Sequence, residues 1–590
     1  MRNLCVTCVL IVSLTLPRAI RAADWVDSTL ATLSLEEKVG QLFAGDIVAV
    51  YAHEKSPAMQ YAHRLIDRYH VGTVVLAGGT IRDIAAVTNA LQARSRVPLL
   101  VNADLESGLG FAHGWTYIRG RAPELPHTVS GGGTIITSMM GIGATGDPHW
   151  AYEAGRITAE EARAIGIHWT NAPVADVNNN PDNPIINTRS FGEDPVAVAK
   201  YVAACVRGFQ QNGLIATVKH FPGHGDTRDD THMKLPLLAF DKKRLMSVEM
   251  VPFRAGIEAD VKAVMTAHIA LTSLDPELRP STLSPPVITG LLRHDLGFRG
   301  VVITDGMTMQ GVTDLYPPGD AAVRSIEAGA DVILVPENFD MAYHGVVSAV
   351  LSGRISGDRL DASVRRVLAL KAGLGLQRAR TVDVDRIDHI VGAPEHDSLA
   401  STITNASITV LRNAGNILPL RRSRIGLITI APDGSAPVGD ELVSVLSQAG
   451  CDVALARCDN EPCTAQMREA EEVSASADAV ICAVYLSIGS WKGALQLDSA
   501  LAGMIDRLAR RTSPLIVVAM GDPYVLRILP ESDAVIAAYA GTPRVEASVG
   551  RALLGTIQTT GRLPVTIPGR YVRGAGLTVQ RVGEHSGRGG

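Results

Sequence analysis

A chain of 590 residues exceeds what one hydrophobic core organises, so at least two domains are expected. With 46% hydrophobic and 19% charged residues it is globular rather than disordered, and a formal net charge of only -5 gives no electrostatic reason for a nucleic-acid or membrane partner. Aromatic residues at 4% argue against a carbohydrate-binding module built on aromatic platforms, without excluding a sugar-cleaving enzyme.

The N-terminus reads as an export signal. Arg2 supplies a short positive region, Leu4 to Leu16 an apolar core, and Ala19 to Ala23 small residues for cleavage. The core is too short to span a bilayer as an ordinary helix, and no small-residue-Gly-Cys arrangement marks a lipid anchor. The expectation is cleavage near Ala22 or Ala23, so that residues 1–23 are a signal peptide, with an uncleaved helix as the alternative. Export then ends in a periplasm or outside the cell. No later apolar run is long and uncharged enough to suggest a membrane span.

From Gln41 to Pro336 short apolar runs alternate with helical patterns. The predicted strands are Leu42–Val48, Gly72–Leu76, Pro98–Asn102, Gly166–Asn171, Ile215–His220, Ala263–His268, Val301–Asp305 and Asp331–Val335. Between them lie amphipathic stretches such as Met59–Tyr69, Asp83–Arg94, Tyr152–Ala164 and Val196–Gln211. Strand-helix alternation implies parallel β structure, and about eight such repeats close a TIM barrel. A doubly wound open sheet is the alternative for this half.

Barrel enzymes place catalytic groups at the C-terminal ends of the strands. The ends here carry Asp104 and Glu106, Asp176, Lys219-His220, His268, Asp305 and Glu337, while the strand bodies are apolar. Buried unpaired charges are costly, so this pattern points to an active site at the barrel mouth. Residues 106–148, with Gly131-Gly132-Gly133, read as an extended loop over the mouth. Residues 173–195 read as a second long loop, whose asparagines suit turn chemistry and whose Arg189 suits ligand binding.

The densest end is Lys219-His220-Phe221-Pro222-Gly223-His224-Gly225-Asp226-Thr227, continuing to Asp229, Asp230, Thr231 and His232. The apolar run Leu214–Val218 leads into it, and its glycines and proline read as a loop. On composition alone, His and Asp at these spacings suit either catalysis or zinc.

These residues resemble the β-N-acetylglucosaminidase branch of glycoside hydrolase family 3. The resemblance is carried by Lys219 to Thr227 with Asp230-Thr231-His232, by Arg189-Ser190-Phe191-Gly192-Glu193-Asp194-Pro195, by Met265-Thr266-Ala267-His268 and by Val301-Val302-Ile303-Thr304-Asp305-Gly306-Met307. It implies a retaining, two-step mechanism with Asp305 as nucleophile, His232 as acid/base and Asp230 orienting His232. It also implies that Asp104, Arg189, Lys219 and His220 bind the sugar, with His268 a further substrate-binding candidate at the same mouth. His224 and Asp226 are expected to shape the loop. No cofactor and no metal are implied. The run after Asp104, Leu105 to His113, departs from the family's Gln-Glu-Gly-Gly and its arginine-bearing segment. His113, Arg119 and Arg121 are candidates to replace that arginine; a different sugar pocket is the other reading.

Beyond the barrel, residues 24–370, a linker over 371–399 is expected. Residues 400–570 then read as a smaller open α/β sandwich domain, with apolar runs Ile425–Ile430, Val453–Leu455, Ala479–Leu486, Leu515–Met520 and Ala534–Tyr539. It resembles the second domain of longer family members, closing with Gly561-Arg562-Leu563-Pro564-Val565-Thr566-Ile567-Pro568, and is expected to be structural. Residues 571–590, rich in glycine and arginine, read as a mobile tail.

Of seven cysteines, Cys5 and Cys8 fall in the signal, leaving Cys205, Cys451, Cys458, Cys463 and Cys482. In an exported protein Cys458 and Cys463 are candidates for a disulfide, with Cys451 as a rival partner. Three functions follow from the sequence: hydrolysis of terminal β-linked N-acetylglucosamine from peptidoglycan fragments or chito-oligosaccharides, phosphorolysis of the same bond, and sugar binding on a barrel that has lost catalysis. A β-glycosidase of different sugar preference is the variant of the first. The expected partner is a carbohydrate, with no nucleic acid and no stable membrane insertion. Oligomeric state is not legible.

Overall fold

A computed structural model describes residues 22–49, 53–110, 129–130, 132–421, 423–432, 437–486, 497–511 and 513–582. The expected signal peptide therefore lies outside the described residues, apart from its last two positions.

Eight short strands form the barrel of the first unit: β1 (Phe43–Ala49), β2 (Thr73–Thr80), β3 (Leu100–Ala103), β4 (Trp169–Thr170), β5 (Thr217–Phe221), β6 (Ala263–Thr266), β7 (Val301–Ile303) and β8 (Ile333–Leu334). One arc runs β8-β1-β2-β3-β4 and the other β5-β6-β7, all parallel. Parallel bridges Trp169 to Ile215 and Ile303 to Val332 join the arcs into a ring. The open-sheet alternative is thereby excluded, and every expected strand is present.

The helices between strands arise where apolar residues recur at helical spacing behind a capping residue. In Pro57–Asp67, Met59, Ala62, Leu65 and Ile66 face inward, and the Ser56 hydroxyl accepts from the Met59 amide. Inside the barrel Ala44, Val75, Leu100, Trp169, Ile215, Met265, Ile303 and Leu334 pack as one apolar cluster. Helix Gly357–Gly373 closes the N-terminal end. Its Val367 joins that cluster, and its buried Lys371 donates to Gln41, just ahead of β1. Polar function is left to the opposite end.

Helix Pro394–Ser407 leads into the second unit: β9 (Thr409–Asn413), β10 (Arg424–Ala431), β11 (Asp452–Asp459), β12 (Ala479–Val484), β13 (Leu515–Ala519) and β14 (Ala534–Ala537). The sheet order is β9-β14-β13-β12-β10-β11, parallel except for β9. Alternate residues of β10 feed two cores, Ile428 and Ile430 on one face and Ile425 and Leu427 on the other, which makes an α/β sandwich. The antiparallel edge strand β9 was not anticipated, because Thr409–Asn413 is short and partly polar.

Two expectations are corrected. Residues 571–582 are held rather than mobile: the Leu577 amide donates to Val410 O, and Val579 is buried. Residues 583–590 lie outside the described residues. Cys458 and Cys463 are both free, as are Cys205, Cys451 and Cys482. Cys458 is buried within β11 while Cys463 is exposed ahead of helix Thr464–Ala475.

Candidate active site

The ends of β3, β5 and β7 and the loops after β4 and β5 converge at the barrel mouth. Lys219, in β5, points its Nζ at Asp104 Oδ1 (2.9 Å) and Glu106 Oε1 (2.8 Å), both just past β3. Arg189, in the loop after β4, meets Glu106 with two parallel hydrogen bonds, Nη2 to Oε1 at 2.8 Å and Nε to Oε2 at 3.0 Å. Burial opposes the charge on both cations, but the carboxylates outweigh it: Asp104 and Glu106 hold the Lys219 ammonium above its usual range, and Glu106 leads in holding Arg189 there.

His220 lies against this cluster, 3.3 Å from Arg189 Nη2 through its Nε2. Its Nδ1 is 2.7 Å from Asp176 Oδ2. Burial, then the charges of Arg189 and Lys219, push its pKa down to about 3. The neutral ring therefore donates from Nδ1 to Asp176 and accepts at Nε2 from Arg189. Asp176 is fully buried, and burial raises its carboxyl against the opposing pull of His224 and the amides of His224 and His220.

Asp305 follows β7 and is 7% exposed. Its Oδ1 accepts from the Gly306 amide at 2.8 Å. Burial opposes ionisation, yet His220, His268, that amide and His232 together hold the carboxyl below its ordinary range. His268 has both ring nitrogens engaged, Nδ1 with Thr282 Oγ1 at 2.9 Å and Nε2 donating to Gly306 O at 3.0 Å. It thus fixes the backbone that presents Asp305.

His232 and Asp230 sit together on the loop after β5. His232 Nδ1 is 2.6 Å from Asp230 Oδ1, which also accepts the His232 amide at 2.9 Å. The neighbouring Thr231 O accepts the Gly311 amide, which ties this loop to the segment following Asp305.

The rest of the histidine run is structural. The His224 amide donates to Asp176 Oδ1 at 2.6 Å, and its ring meets Thr227 and Thr231 hydroxyls at 2.7 and 3.2 Å. A Cβ on Gly225 would stand 1.8 Å from Val177 O, so only glycine lets this loop cross the one after β4. Asp226 is 3.5 Å from Arg244. Asn180 and Asn183 donate to backbone carbonyls of residues 224–227, which locks the two loops together.

The mouth thus brings together Asp104, Arg189, Lys219, His220, His268, Asp230, His232 and Asp305. Glu337 is exposed on the way into helix Phe339–Leu351. Glu106 and Asp176 are central to the cluster. Both were legible as strand-end carboxylates, but without a role, since nothing in the sequence says that Glu106 faces two cations. Residues 111–128, which include His113, Arg119 and Arg121, lie outside the described residues. No helix among the described residues is long and apolar enough to cross a membrane.

Comparison with known proteins locates this arrangement. The glycosyl hydrolase family 3 N-terminal domain model matches residues 34–370, and the family 3 C-terminal domain model matches residues 408–581. A relative from Cellulomonas fimi named beta-N-acetylglucosaminidase/beta-glucosidase is 31% identical over 565 residues, 92% of this chain and 95% of its own length. The solved structure of a glycoside hydrolase family 3 beta-N-acetylglucosaminidase from Paenibacillus sp. str. FPU-7 is 34% identical, with a TM-score of 0.77 over 91% of this chain and 99% of its own. A beta-glucoside phosphorylase structure superposes with a TM-score of 0.81 at 25% identity, covering 93% of this chain and 97% of that one. With both of its domains matched in order, the chain belongs to glycosyl hydrolase family 3, and it is a glycoside hydrolase built as a TIM barrel followed by an α/β sandwich domain.

Proposed function

We propose that the protein is an exported, retaining β-N-acetylglucosaminidase that removes terminal β-linked N-acetylglucosamine from peptidoglycan fragments or chito-oligosaccharides. The observation that carries the chemistry is a buried Asp305 favoured in its ionised form at the barrel mouth, with His232, itself held by Asp230, among the groups that lower its carboxyl.

In the first step a carboxylate oxygen of Asp305 attacks the anomeric carbon and the bond to the leaving oxygen breaks. His232 supplies the proton that oxygen needs. With Nδ1 engaged by Asp230, proton exchange falls to Nε2. In the second step water gives a proton back to His232 and attacks the anomeric carbon, which releases Asp305 as carboxylate and retains the β configuration. Asp230 orients the ring. Asp104, Arg189, Lys219 and His220 hold the sugar, while His268 steadies Asp305.

N-acetyl preference is supported by the names of the relatives above. Export is supported by the pattern of residues 1–23, together with helix Ala22–Thr32, whose Val26 and Leu30 are buried in the fold just past the expected cut. The test is cleavage of chromogenic β-N-acetylglucosaminide and β-glucoside side by side, by wild type and Asp305→Ala. Activity on the N-acetyl substrate that disappears in the variant supports the proposal. Preference for the glucoside would overturn the sugar assignment, and equal cleavage by both proteins would overturn Asp305.

Transfer of the sugar to phosphate is a second reading, favoured by the likeness to a phosphorylase structure and by the histidine acid/base. A neutral base does not repel an incoming anion. Sugar 1-phosphate among the products in phosphate buffer would support it.

A further inference from the structure

The second domain contributes no group to the reacting centre described above, yet it grips the loop that carries Arg189. Asn187 and Arg189 begin and end one tight helical turn, Asn187–Arg189. Asn187 is 2% exposed and sits at φ 41, a left-handed conformation that few non-glycine residues adopt. Its Nδ2 donates to Asp522 Oδ2 at 2.8 Å, across the domain boundary. Its amide donates to Asn178 Oδ1 at 3.2 Å, and Asn178 Nδ2 in turn donates to the Tyr524 hydroxyl at 3.0 Å. The other Asp522 oxygen accepts the Tyr524 amide at 2.7 Å. Asp522 and Tyr524 are both buried.

The grip extends along the loop. Glu193 accepts both the amide and the hydroxyl of Thr566 at 2.7 Å. Arg527 pairs with Asp182 at 2.7 Å, and Arg573 with Asp194 at 3.1 Å. A Cβ on Gly192 would stand 2.7 Å from Pro564 O. The chain between Pro173 and Pro195 has little regular structure, and ordering it costs conformational entropy. The sandwich domain supplies the fixed partners that offset that cost.

We infer that the second domain positions Arg189 for sugar binding, and that Asp522, acting through the Asn187 side chain, is its principal positioning residue. The inference rests on the proposed role of Arg189 as a sugar ligand. Asp522 never touches substrate. It holds the turn from which Arg189 reaches Glu106 and His220, so its loss lets the guanidinium wander from the place where the sugar meets it.

The test is a kinetic cycle on the chromogenic β-glycoside that the enzyme cleaves. Asp522→Asn changes little volume but turns a donor toward either Asn187 or Tyr524. It is expected to raise KM about tenfold with kcat changed less than about threefold, in keeping with the loss of one buried hydrogen bond. Asn187→Asp combined with Asp522→Asn reverses donor and acceptor and is expected to restore KM. In an Arg189→Ala background, Asp522→Asn is expected to add almost nothing to KM, because both act along one route. Unchanged KM in Asp522→Asn, when Arg189→Ala raises it, overturns the inference. So does an equal rise in both backgrounds, or a lowered melting temperature with KM unmoved. If Arg189→Ala itself leaves KM unchanged, the sugar-ligand reading of Arg189 fails instead. Should Asp522→Asn not fold, Tyr524→Phe, which removes only the bond to Asn178, is read against the same criteria with a smaller expected rise of about threefold.

Discussion

Arg189 and Glu106 face each other as two planar groups, joined at 2.8 and 3.0 Å by parallel hydrogen bonds, with Lys219 2.8 Å from the same Glu106 oxygen. One buried carboxylate therefore serves two cations. Glu106→Gln leaves Lys219 with Asp104 and deprives Arg189 of its anion. Removing one partner of a buried pair costs roughly 3–5 kcal/mol, so the variant should melt at lower temperature and show a raised KM. Calorimetry and kinetics on the same preparation check both; an unchanged melting temperature would contradict this account of Glu106.

In the proposed mechanism His232 supplies the proton that the leaving oxygen needs, so its removal should matter most for poor leaving groups. His232→Ala should slow cleavage of a disaccharide by about 10²–10⁴-fold, and slow a dinitrophenyl glycoside far less. Asp230→Asn should fall between wild type and His232→Ala. A uniform loss across leaving groups would argue against His232 as the acid.

Lys371 is buried at the closed end of the barrel, and burial pushes its pKa down from 10.5 to about 7. The unfolded chain then binds the extra proton between those values, so this residue destabilises the fold as pH falls from 10.5 toward 7, with no further loss below. Lys371→Met removes that penalty. The variant should be more stable than wild type at pH 7, by an amount that shrinks as pH approaches 10. Denaturant unfolding of both proteins across this range measures the difference.

His396 lies between Glu161 and Glu160, at 3.0 and 2.9 Å. Its bond to Glu161 leads in raising its pKa above 6.5, while Glu161, despite burial, is lowered by His396 and Thr134. The His396 contribution is fully present below pH 6.5 and is lost as pH rises through the raised value. His396→Gln should therefore lower the melting temperature more at pH 6 than at pH 9. Equal losses at both would show that only packing is at stake.

The barrel was legible because strands such as β5 and β7 are apolar runs that stop at charged residues, and a buried parallel strand has no other place for charge. The same rule exposed Asp104, Lys219, His220 and Asp305. It could not rank them, and it left Glu106 and Asp176 without a role. The polar loop asparagines read correctly as structural, although Asn187 proved to be a contact between domains rather than a turn residue alone.

Sequence by itself determined the order of strands, the end of the barrel that carries ionisable groups, and the family. Local periodicity and short motifs suffice for these. Only the tertiary structure decided which charges meet. Glu106 and Arg189 are 83 residues apart, and Asn187 and Asp522 are 335 apart. Parallel pairing of β3 with β4 brings the first pair together and domain docking the second, and no local pattern in the chain encodes either approach.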